Sequence, residues 1–143
     1  MNTEADIRFE AELRRAGLVK QGLPDFTIVE RLSLLENLIN NADKIDTALW
    51  LRWLTANRQV LRFASVTPDE DWIKSKKFSS ADRRRFNDDT VFPLYESGGS
   101  IVCASLSSSE ELVQRYSERL NMPVVLVGPT LCELREIKRF YPN

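Results

Sequence analysis

Apolar residues recur at helical spacing through the first 58 positions of the chain. The pattern predicts three helices: residues 6–16, a segment that Thr27 caps, and residues 44–58. Their apolar positions are Phe9, Leu13 and Ala16 in the first, Ile28, Leu32, Leu35 and Ile39 in the second, and Ile45, Leu49, Trp50, Trp53 and Leu54 in the third.

The period shortens after residue 58, where four short apolar runs predict strands over residues 59–65, 90–95, 100–104 and 122–127. Gly98 and Gly99 lie between the second and third runs and predict a hairpin. Pro93 predicts that the hairpin's first strand lies at a sheet edge, because proline donates no hydrogen bond. The continuous apolar run at 122–127 is typical of a central strand.

Helix-start signals separate these strands. Thr67 and Pro68 predict one start, Ser108 or Ser109 a second, and Thr130 with Glu133 a capping box for the last helix. The predicted fold class is α+β: three N-terminal helices followed by a small mixed β-sheet with covering helices. We expect one domain over residues 1–143, with a helical part at 1–58 and an α/β part at 59–143.

The chain contains no histidine. Histidine is the usual general base and the commonest metal ligand, so its absence excludes Ser-His-Asp and Cys-His catalysis within this chain. The two cysteines, Cys103 and Cys132, cannot complete a zinc site and are expected to be reduced and buried. The composition therefore favours a non-catalytic protein without a metal or cofactor.

No apolar run approaches the roughly 18–20 residues that span a bilayer, and residues 1–6 are polar and acidic. We therefore expect no membrane association and a cytoplasmic, bacterial-type protein. Twenty basic and 21 acidic residues give a net charge of −1, so no global field favours nucleic acid.

Positive charge is concentrated in one segment, residues 74–85, where the only acid is Asp82. Trp72, Phe78 and Phe86 are interleaved with it and could stack on bases. Three interpretations stay open: a solvated surface segment, a site for an acidic protein partner, and a nucleic-acid site. The basic residues are Lys74, Lys76, Lys77, Arg83, Arg84 and Arg85.

Trp50 and Trp53 lie three residues apart on the third predicted helix. Large aromatic side chains fill cores, and they also dominate interfaces when they are exposed. The pair could thus pack in the core, anchor a partner, or form the seam of a homo-oligomer. The sequence leaves these alternatives open.

The order of elements from Arg62 through 99–105 to 124–126 resembles small ADP-ribosyltransferase-like domains. The resemblance implies an enzyme, or a degenerate relative, that binds a nicotinamide dinucleotide. Arg62, Ser105 and one of Glu133 or Glu136 would then converge on one cleft. The sequence departs from that pattern at Val102, where related domains often have histidine, and the two glutamates are predicted to be helical.

The combined pattern favours a small interaction protein: an adaptor, inhibitor or regulator that binds a protein partner. The basic segment would steer the partner, and Trp50 or Trp53 would anchor it if either ring is exposed. The ADP-ribosyltransferase-like enzyme and a nucleic-acid-binding module are the alternatives.

Overall fold

The structure is a computed structural model that describes residues 34–142. A single turn of 3-10 helix at Ala42–Lys44 accompanies the α-helices. The α-helices are α1 (Leu34–Asn40), α2 (Thr47–Arg58), α3 (Glu70–Lys76), α4 (Ser80–Asp89), α5 (Glu110–Leu120) and α6 (Leu131–Ile137); the strands are β1 (Val91–Ser97), β2 (Ser100–Ser105) and β3 (Val124–Val127). The predicted α+β class is confirmed.

The three strands form one mixed sheet in the order β1-β2-β3. Strands β1 and β2 are antiparallel, and β2 and β3 are parallel. Gly98 and Gly99, with φ of +60° and +82°, form the two-residue turn that joins β1 to β2. Positive φ at both positions matches the twist of a hairpin, and glycine adopts it without a steric cost. The predicted hairpin is confirmed.

Strand β1 lies at one edge of this sheet, as Pro93 predicted. The prediction that residues 122–127 form a central strand is wrong, because β2 occupies the centre. The outer side of β3 is bonded to side chains and loops instead: the Val124 N–H donates to Ser117 Oγ at 3.2 Å, and the Gly128 N–H donates to the Leu61 carbonyl at 2.9 Å. Burial by covering segments therefore explains the apolar run.

Side-chain caps set most of the helix starts. Ser109 and the Thr130–Glu133 capping box act as predicted. The predicted start at Thr67 and Pro68 is wrong, since Asp69 caps α3 by accepting the Trp72 N–H at 3.1 Å. The third predicted helix begins at Thr47 rather than at 44, because Asp46 is its N-cap.

The predicted strand at 59–65 is absent from the described chain. Residues 59–69, which we call the linking segment, have no regular secondary structure. Gln59 adopts a left-handed conformation, with φ of 58°, and ends α2. The Leu61 carbonyl then bonds beside β3, whereas the Ser65 carbonyl accepts the Tyr95 hydroxyl of β1 at 2.8 Å. The segment thus crosses from β3 to β1 instead of pairing along one strand.

The core joins the helices that precede the sheet to the sheet itself. Leu38 of α1 and Leu54 of α2 belong to the same buried cluster as Phe92, Cys103 and Val127 of the strands. The last helix and the residues after it add Leu131, Leu134, Ile137 and Tyr141 to this core, and all four are buried.

Two predicted features lie outside the described residues: the helix at 6–16 and the Thr27 cap. The single domain over 1–143 stays a prediction. Among residues 34–142, no helix is long and apolar enough to cross a membrane.

Candidate interaction surfaces

The basic segment forms the corner between α3 and α4. Lys77 ends α3 in a left-handed conformation, with φ of 51°. Ser79 then caps α4, with Ser79 and Asp82 bonding each other's backbone N–H groups in a capping box. This sharp corner projects the Lys77 side chain into solvent.

Two lysines of the segment are held by neighbouring acids. Lys74 Nζ lies 3.0 Å from Glu70 one turn earlier in α3. Lys76 Nζ lies 2.8 Å from Glu96 of β1 and 5.2 Å from the centre of the Trp72 ring. Hydrogen bonds from Lys76 and Trp72 hold the pKa of the Glu96 carboxyl below its ordinary value.

The Arg83 side chain is bonded to other parts of the protein. Its guanidinium donates to the carbonyls of Phe140 at 2.5 Å and Phe78 at 3.4 Å. It also lies 5.6 Å from the centre of the buried Tyr141 ring. Arg83 therefore attaches the C-terminal residues to α4 and contributes to the fold.

The other three cations are Lys77, Arg84 and Arg85. Each is exposed, and no described residue pairs with its side chain. Arg84 and Arg85 line a shallow depression of about 250 Å³ on α4, together with Asp88 and Asp89. The fold thus divides the basic segment into three cations with a partner in the protein and three without a partner among the described residues.

The aromatic residues of this region pack against the protein. Phe86 is fully buried, and Phe78 lies edge-on to it with ring centres 5.1 Å apart. The Trp72 indole donates to Glu96 at 3.0 Å. A base-stacking platform needs exposed rings, so these contacts remove the aromatic support for a nucleic-acid site.

Trp50 and Trp53 are core residues, 1% and 7% exposed. Their rings stack with centres 5.8 Å apart, and the Trp50 indole donates to the buried Pro129 carbonyl at 3.1 Å. The core alternative from the sequence is the one found. Neither ring is exposed to act as a partner anchor.

Arg62 and Glu133 meet, as the resemblance to ADP-ribosyltransferase-like domains requires. Two guanidinium nitrogens of Arg62 contact the two carboxylate oxygens of Glu133 at 2.6 and 2.8 Å. One of them also donates to the Gly128 carbonyl at 3.0 Å. Burial opposes the ionisation of Glu133, but hydrogen bonds from Arg62 and Thr130 outweigh it and hold its pKa below the ordinary value.

The remaining residues of that constellation have structural roles. The buried Ser105 hydroxyl donates to the Ser107 carbonyl and accepts the Ser107 N–H, which closes the turn after β2. Glu136 pairs with Arg139 on the surface at 3.2 Å. Glu133 is also the third helical residue of the α6 capping box, whose N-cap is Thr130. Ser105, Glu133 and Glu136 therefore have roles in a turn, a helix cap and a surface ion pair.

Leu61 and Phe63 are the two large apolar side chains that the described chain leaves exposed, at 55% and 61%. Sequence reasoning missed them by assigning them to a strand. Arg62 lies between them and is directed at Glu133, and this alternation is typical of an extended chain. No sequence signal separates them from buried apolar residues.

The two cysteines are both free. Cys103 is buried, and burial raises the pKa of its thiol well above the ordinary value. The prediction that Cys132 is buried is wrong, since it lies on the exposed side of α6. Within residues 34–142 no group of three Asp, Glu or Cys side chains is arranged to hold a metal ion.

Comparison with known proteins adds little. No family model matches the chain. No curated protein matches it either. Among solved structures, it is similar to the N-terminal domain of XpsE, with 11% sequence identity, a TM-score of 0.46, and coverage of 98% of this chain and 86% of that chain. A similarity at this level implies nothing about function.

Proposed function

We propose that the chain is a non-catalytic interaction protein that binds the acidic surface of a protein partner through Lys77, Arg84 and Arg85. One observation carries the proposal: these three cations of the basic segment are exposed and have no side-chain partner in the described chain. The other three cations of the segment are already engaged within the protein.

Unpaired surface cations suit a steering role. Complementary charge at an interface mainly raises the rate of encounter and suppresses wrong partners. A cation that is already paired with an acid inside the protein attracts a partner more weakly, because the acid partly neutralises its electric field. Lys74, Lys76 and Arg83 are therefore secondary to the three exposed residues in this proposal, and Trp50 and Trp53 have no part in it.

A protein partner accounts for the charge better than nucleic acid does. Asp88 and Asp89 lie beside Arg84 and Arg85, so the positive surface is interrupted. A phosphate backbone carries a continuous row of charge, whereas a protein can place single carboxylates opposite Arg84 and Arg85 and leave Asp88 and Asp89 uncontacted. The chain as a whole carries a net charge of −1. Non-specific nucleic-acid binding depends on uncompensated positive charge.

The test compares two triple variants with the same change in charge. Lys77→Gln/Arg84→Gln/Arg85→Gln removes the proposed surface, and Arg52→Gln/Arg115→Gln/Arg139→Gln removes three exposed arginines elsewhere. A partner is captured from nuclease-treated lysate, purified, and measured for its association rate at two salt concentrations.

We expect the first variant to associate at least about tenfold more slowly and with a weaker salt dependence. The second variant should associate like the wild-type chain. Equal losses in both variants would contradict a localised site, and unchanged association in the first would overturn the proposal.

A further inference from the structure

Asp89 lies one helical turn after Arg85 on α4, where it can compete with a partner for that cation. Residues four apart on a helix lie close enough for their side chains to form an ion pair. Both residues line the same shallow depression, together with Arg84 and Asp88. Within the described chain, however, Arg85 has no ion-pair partner. The position of the Asp89 side chain therefore decides whether Arg85 is open to a partner.

A tyrosine from the neighbouring helix holds Asp89. The Tyr116 hydroxyl of α5 donates to Asp89 Oδ2 at 2.7 Å, a distance that is typical of a hydrogen bond to an ionised carboxylate. Tyr116 is fully buried beside Phe86, with ring centres 6.0 Å apart, so packing fixes the position of its ring. The donor therefore has a set place, and it binds Asp89 across 27 residues of the chain.

The Tyr116 phenol retains the proton that this bond requires. Burial raises the pKa of the phenol above its ordinary value, and the hydrogen bond to Asp89 and the charge of that carboxylate raise it further. The positive charge of Arg119 acts in the opposite direction without cancelling these effects. The hydroxyl is therefore a hydrogen-bond donor throughout the neutral pH range.

The bond to Tyr116 is stronger than the ion pair that it replaces. A hydrogen bond to a carboxylate is roughly twice as strong as one between neutral groups. An exposed ion pair one turn apart contributes little, because water screens it and both side chains must be ordered. Its direction is also the weaker one, since the basic residue precedes the acidic residue on the helix. Asp89 is therefore expected to stay with Tyr116 and not to turn to Arg85.

We infer that Tyr116 is a positioning residue, which holds Asp89 away from Arg85 and so leaves Arg85 available to an acidic partner. The inference rests on the proposed function, because it concerns one of the three cations assigned to that surface. Asp88 provides the comparison within the same helix, since it lies one turn after Arg84, is exposed, and has no described side chain that holds it. Arg84 can therefore pair transiently with Asp88, whereas Arg85 has no free carboxylate one turn away.

The first test uses the full chain alone, with isotope-labelled arginine side chains. Rotation about the Nε–Cζ bond of a guanidinium slows when a carboxylate pairs with it, and NMR measures this rotation. We expect Tyr116→Phe, which removes only the hydroxyl, to slow the rotation of Arg85 about twofold, the scale of an exposed pair formed part of the time. Arg84 should be unchanged. Tyr116→Phe/Asp89→Asn also removes the competing charge and should restore the wild-type rate for Arg85.

The second test uses the captured partner. Tyr116→Phe changes no charge, so the association rate should stay as in the wild type. The partner should instead dissociate about twofold faster, because Arg85 must give up Asp89 to bind it. Tyr116→Phe/Asp89→Asn should dissociate no faster than the wild type. Tyr141→Phe is the matched control, since it removes another buried hydroxyl, which bonds the Pro93 carbonyl, and it should change neither measurement.

Three results would overturn the inference. They are equal Arg85 rotation in Tyr116→Phe and the wild type, slowing that persists after Asp89→Asn is added, and slower Arg85 rotation in the wild type than in Asp89→Asn alone. The last comparison keeps the test valid if Tyr116→Phe does not fold, because asparagine still offers the hydroxyl an acceptor.

The two proposals can fail separately. If Arg85 rotates as expected but the Lys77→Gln/Arg84→Gln/Arg85→Gln variant binds the partner as the wild type does, the proposed function fails and Tyr116 still positions Asp89. If that variant binds more weakly but Arg85 rotates equally with and without the Tyr116 hydroxyl, the proposed function stands and the positioning role fails.

Discussion

Helix α2 and the linking segment are adjacent in the chain, and the fold treats their apolar residues in opposite ways. Trp50 and Trp53 are amphipathic aromatics that could serve an interface, yet they are buried. Leu61 and Phe63 belong to an apolar run that resembles a core strand, yet they are more than half exposed. The hydrophobic pattern therefore identified the apolar segments but did not show which of them would be buried.

The difference follows from where each segment finds its hydrogen bonds. Helix α2 satisfies its own backbone, so its aromatic face is free to pack in the core. The linking segment is tied at Leu61 to the end of β3 and at Ser65 to β1, and Arg62 is drawn to Glu133. Since Arg62 is directed at Glu133, its two neighbours in the extended chain lie on the opposite side, in solvent.

The largest expected effect is that of Trp50→Ala. The change removes a buried ring and leaves the Pro129 carbonyl without its donor, so we expect a loss of about 3–5 kcal/mol in the free energy of unfolding. Urea unfolding followed by circular dichroism measures it. A loss below about 1 kcal/mol would show that the ring is not a core residue and would break the comparison.

Arg83 and Arg84 extend the comparison to charged neighbours. Arg83→Gln removes charged hydrogen bonds to two carbonyls and the contact with Tyr141, and we expect a cost of about 1.5–3 kcal/mol. Arg84→Gln should change stability by less than about 0.5 kcal/mol. Thermal unfolding of the two variants side by side decides it, and equal values would contradict the division into cations with and without a partner in the protein.

Glu133→Gln tests the contact that orients the linking segment. We expect a loss of about 1 kcal/mol at pH 7, because the Arg62 pair is partly exposed and solvent weakens it. The pKa of Glu133 is lowered on folding, so its stabilising effect is present above the ordinary value of 4.5 and is lost as pH falls below it. Unfolding measured from pH 7 to pH 3 should therefore show the variant and the wild type converging, and a constant difference would count against the ion pair.

Phe63→Ser has the smallest expected effect on stability. An exposed apolar side chain makes little contribution to folding, so the free energy of unfolding should change by less than about 0.5 kcal/mol. Leu61→Ser is the matched control on the same segment. A loss above about 1 kcal/mol in either variant, measured in urea, would mean that these side chains are covered by the protein.

Much of the architecture is local and could be predicted. The Gly98–Gly99 hairpin requires positive φ at two successive positions, and the Thr130–Glu133 box satisfies the first N–H groups of α6 from residues three apart. The inward face of α5 follows from helical spacing alone, with Tyr116 buried at its centre. Such features depend on residues close in sequence, so the pattern of residue types suffices.

The candidate sites could be predicted only in part. The sequence located the basic segment, but which of its six cations remain without a partner cannot be told until the contacts of each are known. Arg83 meets Phe140 across 57 residues, Lys76 of α3 meets Glu96 near the end of β1, and Arg119 of α5 meets Asp82 of α4. None of these encounters has a local signal.

By itself, then, the sequence determined the α+β class, the hairpin, most helix caps and the region where positive charge collects, because each of these rests on short-range spacing and backbone preference. Only the tertiary structure decided that Trp50 is buried and Phe63 is not, that Arg62 forms an ion pair with Glu133, and that Lys77, Arg84 and Arg85 have no side-chain partner in the described chain. The physical reason is that burial and ion pairing depend on which distant surfaces meet, and the packing of the sheet settles that for each side chain.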